Sequence, residues 1–119
     1  MATIKRSLDE LMTLDGALCA ALVDASSGML LGSAGGGMNL DLAAAGDTEV
    51  IRAKLNTMRM MAMDDVIEDM LITLGRQYHI IRPLARRDGV FLYCVFDKAR
   101  SNLALARRKA GDVEKQLEI

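Results

Sequence analysis

The chain has 119 residues, 51% of them hydrophobic but only 3% aromatic and none of them Trp, which suits one aliphatic core and excludes the stacking platforms of single-stranded nucleic-acid binders. Fifteen Lys and Arg against sixteen Asp and Glu leave a net charge of -1, too little to gather DNA, RNA or anionic lipid. No segment approaches the roughly 20 apolar residues of a membrane span, and the polar N-terminus lacks a signal peptide's apolar run, so a cytoplasmic location is expected.

From Thr3 to Leu14 the apolar residues Ile4, Leu8, Leu11 and Met12 recur at helical spacing behind Thr3, a capping residue type. Gly16 ends this short amphipathic helix. Ala17 to Val23, ALCAALV, is a continuous apolar run and predicts a strand buried on both faces. The turn Asp24 to Gly28 then joins it to a second strand, Met29 to Ala34, as a hairpin. After Gly35, Gly36 and Gly37, either Asn39 or Asp41 is placed to cap a long helix reaching about Met63, with Gly46 loosening its first turns or setting them off as a separate short helix. Val66 to Leu74, rich in Leu and β-branched residues, predicts a third strand. A fourth, Tyr78 to Leu84, carries Pro83 near its end. Arg87, Asp88 and Gly89 form a hairpin signal before the most hydrophobic strand, Val90 to Phe96. The final helix, about Ala99 to Leu117, sets Leu103, Ala106, Ala110, Val113 and Leu117 on one face.

The order α-β-β-α-β-β-β-α, with three closely spaced last strands, predicts one α/β (α+β) domain over residues 1–119. Its five-stranded antiparallel sheet is sandwiched by helices in a profilin-like arrangement.

Motifs for catalysis are missing from this pattern. Gly35 to Gly37 precede a helix, as phosphate loops do, yet no Lys or Ser/Thr follows them as a Walker loop requires; a flexible connection is the simpler reading. His79 is the sole histidine, which rules out a His-pair metal site and suits a strand residue facing solvent or a polar neighbour. Asp64, Asp65, Glu68 and Asp69 are numerous enough for magnesium, but read more simply as a solvated strand entrance. Ser26 and Ser27 are turn formers, and Cys19 and Cys94 fall inside apolar runs as small hydrophobes. No catalytic residue, cofactor or metal is expected.

Met58, Met60, Met61 and Met63 crowd the end of the long helix. Copper(I) would take thioethers that converge on a point, whereas on a helix these diverge. Ile51, Leu55, Met58 and Ala62 share one stripe with Val50, Lys54 and Met61 beside it, and Met60 and Met63 fall elsewhere. A helix end apolar nearly all round needs cover on two sides, and methionine suits a surface that repacks against a partner. A helix central to a monomer's core is the plainer alternative.

Three stretches, LDGALCAALVDASSGMLL (Leu14 to Leu31), DMLITLGRQYHIIRPL (Asp69 to Leu84) and GVFLYCVFDKARSNLALAR (Gly89 to Arg107), resemble the Roadblock family of dynein light chains and bacterial small-GTPase regulators. The resemblance implies a homodimer in which third strands pair edge to edge and second helices lie side by side. It brings Leu55, Met58, Met61, Val66, Glu68, Met70 and Ile72 to the interface between copies. It also implies a non-enzymatic adaptor that binds a Ras-like small GTPase, with modulation of nucleotide hydrolysis as a further step, through Arg52, Lys54, Asn56 and Arg59. The rival reading from another class is a small-molecule or metal sensory domain.

Overall fold

The computed structural model describes residues 3–119. Helix α1 (Ile4–Leu11) begins where the Thr3 hydroxyl accepts the Arg6 N–H at 3.2 Å, and it is followed by strands β1 (Ala17–Asp24) and β2 (Met29–Gly35). The long helix α2 (Leu40–Met60) comes next, then strands β3 (Met70–Thr73), β4 (Gln77–Pro83) and β5 (Val90–Asp97), and last helix α3 (Leu103–Gln116). The sheet is antiparallel throughout, in the order β2-β1-β5-β4-β3. The expected fold class and element order are both present.

Strands β1 and β5 lie inside the sheet and carry side chains into two cores, which is why their sequences are apolar without alternation. Leu22, Leu92 and Phe96 meet Leu8, Leu11, Ala106, Ala110 and Val113 of α1 and α3 on one face. On the other, Ala21, Val23, Phe91, Tyr93 and Val95 meet Ala44 and Ile51 of α2. The apolar stripe expected on the last helix is buried as read, with Leu103 only partly covered.

Several boundaries differ from expectation. Helix α2 starts at Leu40, where Asn39 Oδ1 accepts the Leu42 N–H at 3.1 Å, and it runs unbroken through Gly46. A Cβ at Gly46 would meet nothing within 4 Å, so that residue costs the helix backbone entropy but relieves no clash. The helix stops at Met60 without a glycine. Ala62 takes φ 53° and the Met63 N–H reaches back to the Met58 carbonyl at 3.0 Å, a Schellman closure on a residue that tolerates it poorly. Helix α3 starts at Leu103 because Asn102 caps it, accepting the Leu105 N–H at 3.1 Å. Residues 98–100 form a turn, and the Ser101 hydroxyl after it donates to the Asp97 carbonyl at 2.6 Å.

The third strand is shorter than its sequence. Met70 pairs with Ile81, and Thr73 with Tyr78. Continuing that register backward would set Glu68 opposite Pro83, which has no N–H for a ladder bond, and there β4 ends. Residues 64–69 are therefore neither helix nor strand.

Candidate functional site

The surface that stands apart is formed by the distal half of α2, the connection to β3, and β3 itself. Along α2, Ile51 and Met58 are buried while every residue from Arg52 to Thr57 is exposed. Met60, Met61 and Met63 are exposed, Met61 to 64%, and Val66 stands 81% exposed in the connection. Strand β3 is a sheet edge whose substantial packing is with β4. Met70 is half-buried, and Leu71, Ile72 and Thr73 are exposed. An apolar edge with unpaired backbone groups is a template for another strand.

Of the residues expected between copies, Leu55, Met61 and Ile72 are exposed, Met58 is buried within the subunit, and Met70 is half-buried on the α2 face of β3. Val66 and Glu68 lie before β3 and not within a strand. Of the residues expected to touch a GTPase, Lys54, Asn56 and Arg59 are exposed. Arg52 is also exposed, but its guanidinium donates to the Ala25 and Ser26 carbonyls at 2.8 and 3.2 Å and pairs with Glu49 at 3.4 Å. It braces α2 against the β1–β2 turn.

Beside this surface lies a polar group of which only His79, expected to face solvent or a polar neighbour, stood out in the sequence. On the α2 face of the sheet, His79 Nε2 stands 2.8 Å from Gln77 Oε1, and His79 Nδ1 stands 2.9 Å from the Tyr93 hydroxyl. An amide oxygen only accepts, so Nε2 carries the proton and Nδ1 accepts from Tyr93. Burial holds the imidazole below its usual pKa, consistent with that neutral form. Burial also pushes the Tyr93 phenol up, and the Asp47 carboxyl adds to the effect. Asp47 is itself pushed up to about 6 by burial, and its Oδ2 has no hydrogen-bond partner among the described residues. Helical period would have revealed it, since one turn back from the Ile51–Leu55 stripe is Asp47.

A second group joins β3 to α3 on the opposite face. Arg107 grips Asp69 with two bonds, at 2.9 and 2.8 Å. Arg82 lies 3.9 Å from the same carboxylate and donates to Glu114 at 2.6 Å, and Glu114 also accepts the Ala85 N–H at 2.7 Å. Asp69 is thus an ion-pair partner within the acidic cluster, while Asp65 accepts the Val66 N–H at 2.8 Å. Among the described residues no three His, Cys, Asp or Glu side chains gather as metal ligands. Cys19 and Cys94 are free and buried. Clefts of about 380 and 670 Å³ lie at the rim, one against Arg86 and the C-terminal residues, the other between Leu18, Leu74 and Arg76. Among the described residues no helix is long and apolar enough to cross a membrane.

No family model matches the sequence, and no curated protein does either. Solved structures do match the fold. Myxococcus xanthus MglB superposes with a TM-score of 0.81 at 18% identity, over 93% of this chain and 88% of that one. A Roadblock/LC7 domain from Streptomyces avermitilis does so with a TM-score of 0.81 at 11% identity, over 97% and 94%. An MglB with a tetrameric arrangement matches with a TM-score of 0.81 at 17% identity, over 94% and 82%. The fold is that of Roadblock/LC7 domains, and the resemblance drawn from the sequence holds at that level.

Proposed function

We propose that residues 1–119 form one Roadblock-like domain that acts in the cytoplasm as a homodimeric, non-enzymatic signalling adaptor, binding a Ras-like small GTPase and modulating its nucleotide hydrolysis. The observation that carries the reading is the bare apolar margin, made of β3 and the methionine-bearing end of α2. One subunit exposes 7035 Å², whereas a self-contained chain of 12.9 kDa exposes about 6,300 Å². The excess is comparable to the roughly 800 Å² that each partner covers in a standard interface.

A second copy fits this margin by symmetry. If two β3 edges pair antiparallel about a two-fold axis perpendicular to the sheet, both α2 helices fall on the same face of a ten-stranded sheet. The contact is isologous and closes. Leu55, Met61, Met70 and Ile72 then gain cover, with Met58 beneath them and Val66 and Glu68 at the margin. Lys54, Asn56 and Arg59, exposed along α2, present charge and amide groups to a GTPase, and Arg52 fixes the helix that carries them. Catalytic groups are not needed in such an adaptor, which acts by arranging its partner's loops.

Light scattering on a size-exclusion peak is expected to give about twice the 12.9 kDa chain mass. The purified dimer, challenged with small GTPases encoded beside it and loaded with GTP or GDP, is expected to retain one of them in a nucleotide-dependent manner. Absence of binding in both states removes the GTPase reading, and a stable monomer at micromolar concentration removes the dimer.

A further inference from the structure

Strand β3 has little of its own to hold it. It is four residues long, three of them exposed, and it lies at the sheet edge. Burial stabilises strands chiefly through side chains packed on a sheet face, and here only Met70 contributes. Yet the residue immediately before the strand is anchored heavily. The Asp69 side chain is only 9% exposed, and the side chains of Arg82 and Glu114 are 16% and 10% exposed. Two guanidinium groups and two carboxylates balance in charge, and the bidentate grip of Arg107 fixes direction as well as distance. The Arg82 guanidinium lies against α3 at Gly111, where an added Cβ would stand 3.4 Å from its Nη2.

We infer that Arg107, Arg82 and Glu114 are positioning residues that act through Asp69, setting the bare β3 edge in place for the second copy. The inference rests on the homodimer reading. The ion-pair group spans α3, β4 and the chain entering β3, so the edge takes its position from the opposite face of the sheet. A partner then meets an ordered template and the entropy of ordering β3 is no longer charged to association.

Arg107 is half-exposed, so Arg107→Ala removes the grip without opening a core. Amide exchange across Met70–Thr73 is expected to quicken at least tenfold in this variant, while exchange across β5 is unchanged. The dimer dissociation constant is expected to rise at least tenfold, and Arg107→Lys, keeping the charge but losing the fork, is expected to fall between. The exchange comparison is repeated in an Ile72→Glu background, designed to be monomeric. Unchanged β3 exchange there overturns the anchoring role, and uniform acceleration in β3 and β5 alike overturns it in favour of general stability. Faster β3 exchange with an unaltered dissociation constant overturns the link to self-association. A wild type that is monomeric at every concentration overturns that link and the dimer reading together, while the exchange data still decide the anchor.

Discussion

Replacing Asp47 by Asn tests the physical reading of the buried face most directly. The ordinary Asp value is 3.8 and the folded protein holds Asp47 near 6 because of burial. A folded-state value above the unfolded one means that the native state binds the proton more tightly. The contribution to stability is therefore full below about pH 4 and is lost as pH rises through about 6. The separation of the two values sets a ceiling of about 3 kcal/mol. Asp47 is only half-buried, so solvent screening reduces the expected loss to about 1 kcal/mol. Of the titratable groups on the sheet, Tyr93 of β5 feels the Asp47 charge and itself contacts His79 of β4, and Lys54 lies two turns along α2. Among the described residues the buried Asp47 Oδ2 has no hydrogen-bond partner to stabilise its charge. Asn keeps the shape without the charge, so Asp47→Asn should stabilise the protein by about 1 kcal/mol at pH 7.5 and by almost nothing at pH 4. Urea denaturation at one fixed protomer concentration, at both pH values, reads the difference. A variant less stable than wild type at pH 7.5, or an advantage equal at both, would refute the burial argument.

Met61→Glu places a charge on an apolar position 64% exposed in the subunit, so it should leave the fold intact and shift light-scattering mass from dimer to monomer; retention of the dimer counts against the α2 contact. Gly35 has φ 79° and a Cβ there would sit 2.3 Å from the Leu18 carbonyl oxygen, so Gly35→Ala should cost about 2–4 kcal/mol in thermal or urea unfolding. Gly36→Ala, with open space around it, should change stability by less than about 0.5 kcal/mol. Arg52→Ala should cost about 1 kcal/mol by freeing the Ala25 and Ser26 carbonyls, a loss seen in stability even where no GTPase is present.

Legibility in the sequence followed how local each determinant is. ALCAALV and VFLYCVF announce strands buried on both faces because short, unbroken apolar runs bounded by turn residues suit a central strand, and β1 and β5 are those strands. The final helix's stripe was readable from period alone. Its start was not: Ala99 and Arg100 favour a helix, but the chain there is pressed against Gly16, whose added Cβ would lie 2.8 Å from Ser101 Cβ. That contact joins residues far apart in sequence. The ion pairs of Asp69 with Arg107 and of Arg82 with Glu114 are equally non-local, and only the fold brings their members together. His79 illustrates the middle case, since a lone strand histidine could be expected to find a polar neighbour, but not that Tyr93 and Gln77 would fix its tautomer.

The third strand is where the sequence said more than one subunit uses. Val66 to Leu74 has the composition of a nine-residue strand, yet β3 is four residues long, because its ladder partner β4 ends at Pro83. A pattern that outruns its partner within the chain leaves apolar side chains such as Val66 and Ile72 exposed, and such exposure is ordinarily selected against on sheet edges through charge, proline or cover. Here Glu68 and Asp69 supply charge before the strand, but Asp69 is turned inward to Arg107 and the four strand residues themselves carry none. The edge is thus held in place while the strand itself lacks the usual charged deterrents to pairing, a combination that supports the proposed contact with another copy.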